Sequence, residues 1–182
     1  LDKLIDSVQL NHPGFNITYF GGTAVAVGNA VQLRQDTLLT QGITVVFLVL
    51  FFALYFRRKS APVLILVPAL FGALLSLAAI TLIKGSISVI ALGTGSIILG
   101  IAVNYSLHVF NHHRHRPDME EVLRDLAHPM TIGSITTIGG FLCLQFVQSE
   151  MLQDLGLFAA FSLIGASLAS LVFLPQLIRL RN

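Results

Sequence analysis

Gly93, Ile97, Gly100, Asn104 and His108 recur at helical spacing inside the longest stretch free of Asp, Glu, Lys and Arg, from Gly85 to His113. At 3.6 residues per turn they make one small and polar stripe on an otherwise apolar helix. The Asn104 amide both donates and accepts hydrogen bonds but does not titrate. His108, one turn on, carries an imidazole, a ring that can take up and release a proton. A stripe of this kind either bonds to a neighbouring helix or lines a pathway for protons or polar groups. Tyr105 adjoins Asn104 in sequence but points about 100° around the helix. It is either a relay group or an interface tyrosine. Thr136 and Thr137 have the same two faces: they can donate to the stripe, or back to carbonyls of their own helix.

Other chemistry is excluded by what the spacing does not assemble. His112, His113 and His115 do not converge three imidazoles on one ion along a single helix, so a basic interfacial collar with Arg114 and Arg116 is the expectation, and no metal. No nucleophile–base–acid set, phosphate loop or paired intramembrane carboxylate is visible, so neither an enzyme nor a cofactor site is expected.

The elements that hold these groups are set by the charge map. The chain of 182 residues is 54% hydrophobic and 11% charged, with a mean hydropathy of +0.80. Globular domains carry about 25% charge. Charged residues leave neutral windows at 37–56, 60–83, 85–113, 126–149 and 155–178. Each reaches the roughly 20 residues that cross a 30 Å hydrocarbon core. Without strict alternation a β-barrel is excluded, which predicts an all-α integral membrane fold of five helices, near 37–56, 61–83, 87–112, 130–148 and 155–178. Basic residues follow the first helix (Arg57, Arg58, Lys59), the third (Arg114, Arg116, Arg124) and the last (Arg179, Arg181). The positive-inside rule makes those ends cytoplasmic, which puts the N-terminus outside and the C-terminus inside. The clusters are topology signals, so no nucleic-acid partner is expected. Cys143, the one cysteine, excludes an internal disulfide.

Residues 1–36 have soluble character: a short amphipathic helix end, a turn at Asn11-His12-Pro13-Gly14, an alternating strand over 15–20, and a break at Gly21-Gly22 before a helix capped by Thr23. Too short to bury a core, they read as the tail of an α/β extracytoplasmic domain, delivered across the membrane by something upstream. Residues 37–182 then form the membrane domain. Pro62 suits the first turn of the second helix, and Pro68 should kink it. Met119, Val122, Leu123 and Leu126 predict a short cytoplasmic interfacial helix, with Pro129 opening the next span. Gly72 with Ser76, Ser96 with Gly100, and Gly165 with Ala169 have the small-xxx-small spacing of close helix contacts; Gly93, Gly100, Gly139 and Gly140 are the candidate packing positions.

Three stretches carry a resemblance to a known family: Gly21 through Arg57-Arg58-Lys59; Gly100-Ile-Ala-Val-Asn104-Tyr105-Ser106-Leu-His108; and Ser134-Ile-Thr136-Thr137-Ile-Gly139-Gly140-Phe141 with Leu155-Gly156-Leu157-Phe158. Together they resemble the resistance-nodulation-division (RND) transporters, particularly MMPL-type lipid exporters and Patched-like proteins. The resemblance implies helices two to six of one six-helix half, the unit called the sterol-sensing domain in eukaryotic relatives. It further implies a proton-driven exporter of lipids or other hydrophobic molecules in a bacterial cytoplasmic membrane. Residues 1–36 would then be the exit of the porter domain, with that domain and a second transmembrane half as missing partners and a homo-oligomer as a further possibility. It places Asn104 and Tyr105 at relay positions, with Thr136 and Thr137 able to donate from the family's fifth helix; His108, by its own chemistry, is either a substitute proton carrier or a histidine at the cytoplasmic mouth bonded to a carbonyl or water. In one respect the chain departs from the family pattern: Asn104 stands where an aspartate is usual. Either the other half carries the titrating acid, or coupling has shifted or been lost. A lipid-binding module of the sterol-sensing type and a purely structural half are the alternatives.

Overall fold

The computed structural model describes Val8, Leu10 and residues 21–57, 61–115 and 119–179. The expected strand over 15–20 lies outside them. Among the described residues every regular element is helical: α1 Gly22–Phe56, α2 Ala61–Lys84, α3 Val89–Gly93, α4 Gly95–His115, α5 Met119–Leu142, a single 3-10 turn Cys143–Phe146, and α6 Glu150–Arg179.

Local chemistry accounts for most of the boundaries. α1 begins one residue before the expected cap: Gly21 is its N-cap without a side-chain bond, and Thr23 lies in the first turn. It ends at Arg57, whose φ of 50° is the left-handed conformation that unwinds a helix end. α2 takes Pro62 in its first turn, where no backbone bond is lost, and runs on through Pro68. Gly85, at φ +74°, makes the tight turn toward α3, which Ser88 caps by accepting from the Ile90 amide at 3.3 Å.

Two expectations are corrected. The third neutral window is not one helix: it divides at Thr94 into α3 and α4. The short interfacial helix is not separate either, because α5 runs unbroken from Met119 through Pro129 to Leu142. The physical reason is one buried stripe carried across the proline: Val122, Leu126, Met130 and Ser134 follow one another at four-residue steps, all buried or half-buried. That stripe stays on one helix face only if the helix continues.

α6 is the hub. It packs on α2, α4, α5 and the 3-10 turn, and its inward face is built from small residues between larger ones: Ala159, Ser162, Leu163, Ala166, Ser170 and Leu174. Its closest partner is α2. A Cβ on Gly165 would lie 2.7 Å from the Gly72 Cα, and one on Gly72 would lie 2.8 Å from the Ala166 amide nitrogen. The small residues of the two helices therefore meet as their spacing predicts. Ser76, fully buried, donates to the Phe158 carbonyl at 2.8 Å across the same contact. α1 is peripheral, and only Phe52 and Phe56 of it are buried.

Among the described residues four helical stretches are long and apolar enough to cross a membrane: Gly22–Phe56, Ala61–Lys84, Glu121–Phe146 and Glu150–Leu177. The chain is accordingly a multi-pass membrane protein. α4 has 21 residues, enough at 1.5 Å each to cross a hydrocarbon core of roughly 30 Å, but Asn104, His108, Asn111 and His112 lower its hydropathy.

The α2–α6 contact generates a prediction. Gly72→Val or Gly165→Val forces a side chain against backbone and should cost about 1–3 kcal/mol, lowering the melting temperature in detergent by roughly 2–10 °C. Gly139→Ala, where the Cβ meets nothing within 4 Å, should leave it unchanged.

Candidate functional site

α4 is two-faced. Ala102, Val103, Tyr105, Ser106 and Val109 point into the bundle, and Ile97, Gly100, Asn104 and His108 point out of it. On the inner face Ser106 and Ser170 share a buried hydroxyl pair at 3.1 Å, which ties α4 to α6. The Tyr105 ring is 9% exposed and packs in the main apolar cluster. On the outer face Ile97 is 66% exposed. Neither Asn104 nor His108 has a side-chain hydrogen bond to another described residue. The expected stripe is thus a real face from Ile97 to His108, and it is uncovered. Gly93 leaves it, because the break at Thr94 turns that glycine toward α1, where a Cβ would stand 3.2 Å from Thr37 Oγ1.

α5 presents a second small outer surface. Thr136 and Thr137 both donate to the Gly133 carbonyl at 2.9 Å, which is the back-bonded alternative. A Cβ on Gly100, Gly133, Gly139 or Gly140 would meet nothing within 4 Å. Gly100, Gly139 and Gly140 therefore do not pack helices within the described bundle. That role falls to Gly72, Gly165 and Gly156, the last set against the Phe141 carbonyl and Leu144.

At the end of α4, His112 Nε2 is buried and stands 3.6 Å from Asp125 Oδ2, beyond hydrogen-bonding distance. Among the described residues no three His, Cys, Asp or Glu side chains gather to hold a metal. The side chains of His113 and His115 lie outside the description.

A polar cluster at the opposite end of the bundle is not foreseen from spacing. Lys84 Nζ is 2.7 Å from Asp154 Oδ1, and Asp154 Oδ2 accepts from the Ser88 amide at 2.9 Å. Asp154 is 8% exposed and sits in the second turn of α6, near the helix end whose dipole favours an acid. One carboxylate thus fastens the α2–α3 turn to the start of the hub. The signal lies in the charge map: Lys84 is the lone charge between the second and third windows, and Asp154 is the last before the fifth. Both fall at the same membrane edge in a five-helix reading. Nearby, Gln145 donates to the Gln153 carbonyl and Gln153 to the Val147 carbonyl, bracketing the α5–α6 link.

A family model, that of the MMPL family, matches residues 2–181. A candidate membrane protein of Methanocaldococcus jannaschii is 23% identical over 156 residues, 80% of this chain and 40% of that protein. The chain spans two fifths of that relative's length. Among solved structures, the crystal structure of a heavy metal efflux pump superposes with a TM-score of 0.74 at 23% identity, over 85% of this chain and 16% of the pump chain. At that identity the match establishes the fold alone.

Asp154→Asn leaves Lys84 without its counter-charge and weakens the acceptor for the Ser88 amide. The expected cost is about 1–3 kcal/mol, read as a fall in thermal stability in detergent. Lys84→Gln should cost less, because the Lys84 side chain is 30% exposed. A double-mutant cycle measures the coupling directly.

Proposed function

The chain belongs to the MMPL family, and from that premise we propose that it is helices two to six of one half of an RND-type transporter. The whole protein exports lipids or other hydrophobic molecules across a cytoplasmic membrane, using the proton-motive force. With α4 added to the four apolar stretches the unit has five spans. An odd number puts residues 1–36 outside and the C-terminus inside, in line with eight basic residues at the ends of the first, third and last windows against three elsewhere. The partners are a porter domain preceding residue 36 and a second transmembrane half. It acts as a carrier and not as an enzyme.

One observation supports this reading: α4, read here as a fifth span, leaves Asn104 and His108 exposed on its outer face, without a hydrogen bond to a described side chain. A polar face at that depth needs another helix or a water-filled path. In transporters built from two repeats, coupling sites lie where the repeats meet. A proton crossing 100 mV releases about 2.3 kcal/mol. Asparagine has no proton to exchange in the working range, so the titrating acid belongs to the other half and Asn104 serves as its hydrogen-bonding counterpart. The same asparagine favours a second reading, a lipid-binding module of the sterol-sensing type that does not transport.

Efflux of a fluorescent hydrophobic probe from proteoliposomes holding the full-length protein, with and without a proton gradient, separates the two. Asn104→Ala should lower gradient-driven efflux at least roughly tenfold with the melting temperature unchanged, the loss of about 1.4 kcal/mol in the coupled step. Gradient-independent probe binding with no efflux in the unmutated protein supports the binding module instead. Unchanged efflux with lowered stability makes the stripe a scaffold.

A further inference from the structure

The division of the third window at Thr94 is held by a side chain from another helix. In a continuous helix the Leu92 carbonyl would receive the Ser96 amide. Instead Ile97 donates to the Thr94 carbonyl at 3.0 Å, where a continuous helix would send it to Gly93, beside the regular bond from Ile98 at 3.1 Å. The Leu92 carbonyl accepts from Gln41 Nε2 of α1 at 2.8 Å, and the Ala91 carbonyl accepts from Thr94 Oγ1 at 2.8 Å. The Thr94 backbone N–H also points at the Leu92 carbonyl, and Gln41 is its donor from another helix; a carbonyl left short of donors is costly in hydrocarbon.

The contact is shaped for Gln41. A side chain on Gly95, which is buried, would collide with the Gln41 amide; one on Gly93 would crowd Thr37, one turn before Gln41 on α1. The two glycines flanking Thr94 are thus the surface on which α1 rests. Two hydroxyls of α1 beside Gln41 are satisfied within their own helix: Thr40 donates to the Asp36 carbonyl and Thr44 to the Thr40 carbonyl. Among the described residues Gln41 is the α1 side chain that hydrogen-bonds to another helix.

We infer that Gln41 is a positioning residue: its amide pins a hinge at Gly93-Thr94-Gly95 and so sets how α4, with Asn104 and His108, stands against α1. α1 runs 19 residues N-terminal of Gln41, back to Gly22, so a tilt of α4 about the hinge reaches the far end of that long helix through one hydrogen bond and two glycine contacts. The consequence for transport rests on the reading above; the hinge itself does not.

Hydrogen exchange by mass spectrometry on the full-length protein in lipid nanodiscs tests it. Gln41→Met keeps the length and removes the donor. Exchange in the segment 89–98 should rise roughly three- to tenfold, the worth of one interhelical bond in a membrane, while segments of α2 and α6 stay unchanged. Gly95→Ala, which displaces the Gln41 amide, should raise exchange in the same segment. Unchanged exchange over 89–98 in Gln41→Met overturns the pin, and so does a rise spread equally over α2 and α6. These readouts need no transport. In a protein that transports, a selective rise with an unaltered efflux rate overturns the positioning role. If the unmutated protein moves no substrate, the transport reading falls and the exchange data still decide the hinge.

Discussion

Where α2 crosses α6, two glycines replace the side chains that would otherwise hold the backbones apart. With lipid tails as apolar as leucine, there is little hydrophobic drive to join helices inside a bilayer, and close van der Waals contact has to supply it. Gly72 and Gly165 let that contact form, and the buried Ser76 hydroxyl then reaches the Phe158 carbonyl across it. The rest is arranged around the helix so fixed. α4 is fastened to it by the Ser106–Ser170 pair, the α2–α3 turn by Asp154, and the α5 link by Gly156 and the Gln145–Gln153 bracket. Helices with such a hub leave their outer faces free for other work.

That freedom is what gives the α4 stripe its meaning. A polar face turned inward would be explained by the bundle itself. Turned outward, in a chain whose other outer surfaces are largely apolar, it demands a partner of its own. The outward small surface of α5, from Gly133 through Thr136 to Gly140, allows a backbone to approach closely beside it. On the proposed function, Asn104 in place of a titratable acid would divide labour between the halves: this one would supply hydrogen bonds and shape, the other the exchangeable proton.

Much of this is legible in the sequence, because membrane spans are written in local composition. The neutral windows place helix at each expected span, although α1 and α5 begin well before theirs, at Gly22 and Met119; Pro62 marks a helix start, and the small-residue spacing of Gly72, Ser76 and Gly165 points to a contact that forms. The departures are tertiary in origin. The continuity of α5 through Pro129 depends on a buried stripe that becomes visible only when a neighbour covers it. At the break at Thr94 the Leu92 carbonyl takes a donor 51 residues away, in another helix. Small spacing alone does not separate packing glycines from outward ones: Gly139 and Gly140 look the same as Gly165 until the neighbours are placed. The pairing of Lys84 with Asp154 is available from topology, as opposite charges at one edge, and it is the residue pair that spacing within single helices could not reveal.

The central claim is that the Asn104 face meets a second transmembrane unit. Its most direct test is photo-crosslinking with the full-length protein in native membranes. An Asn104→Cys substitution in a background with Cys143 and any other native cysteine replaced by Ser provides a single thiol for a benzophenone label, and the crosslinked peptides are identified by mass spectrometry. The account predicts adducts to a transmembrane segment outside residues 37–182, in the same polypeptide or in a second copy. Adducts to lipid alone would contradict it, because the stripe would then face the bilayer with no partner to explain its polarity.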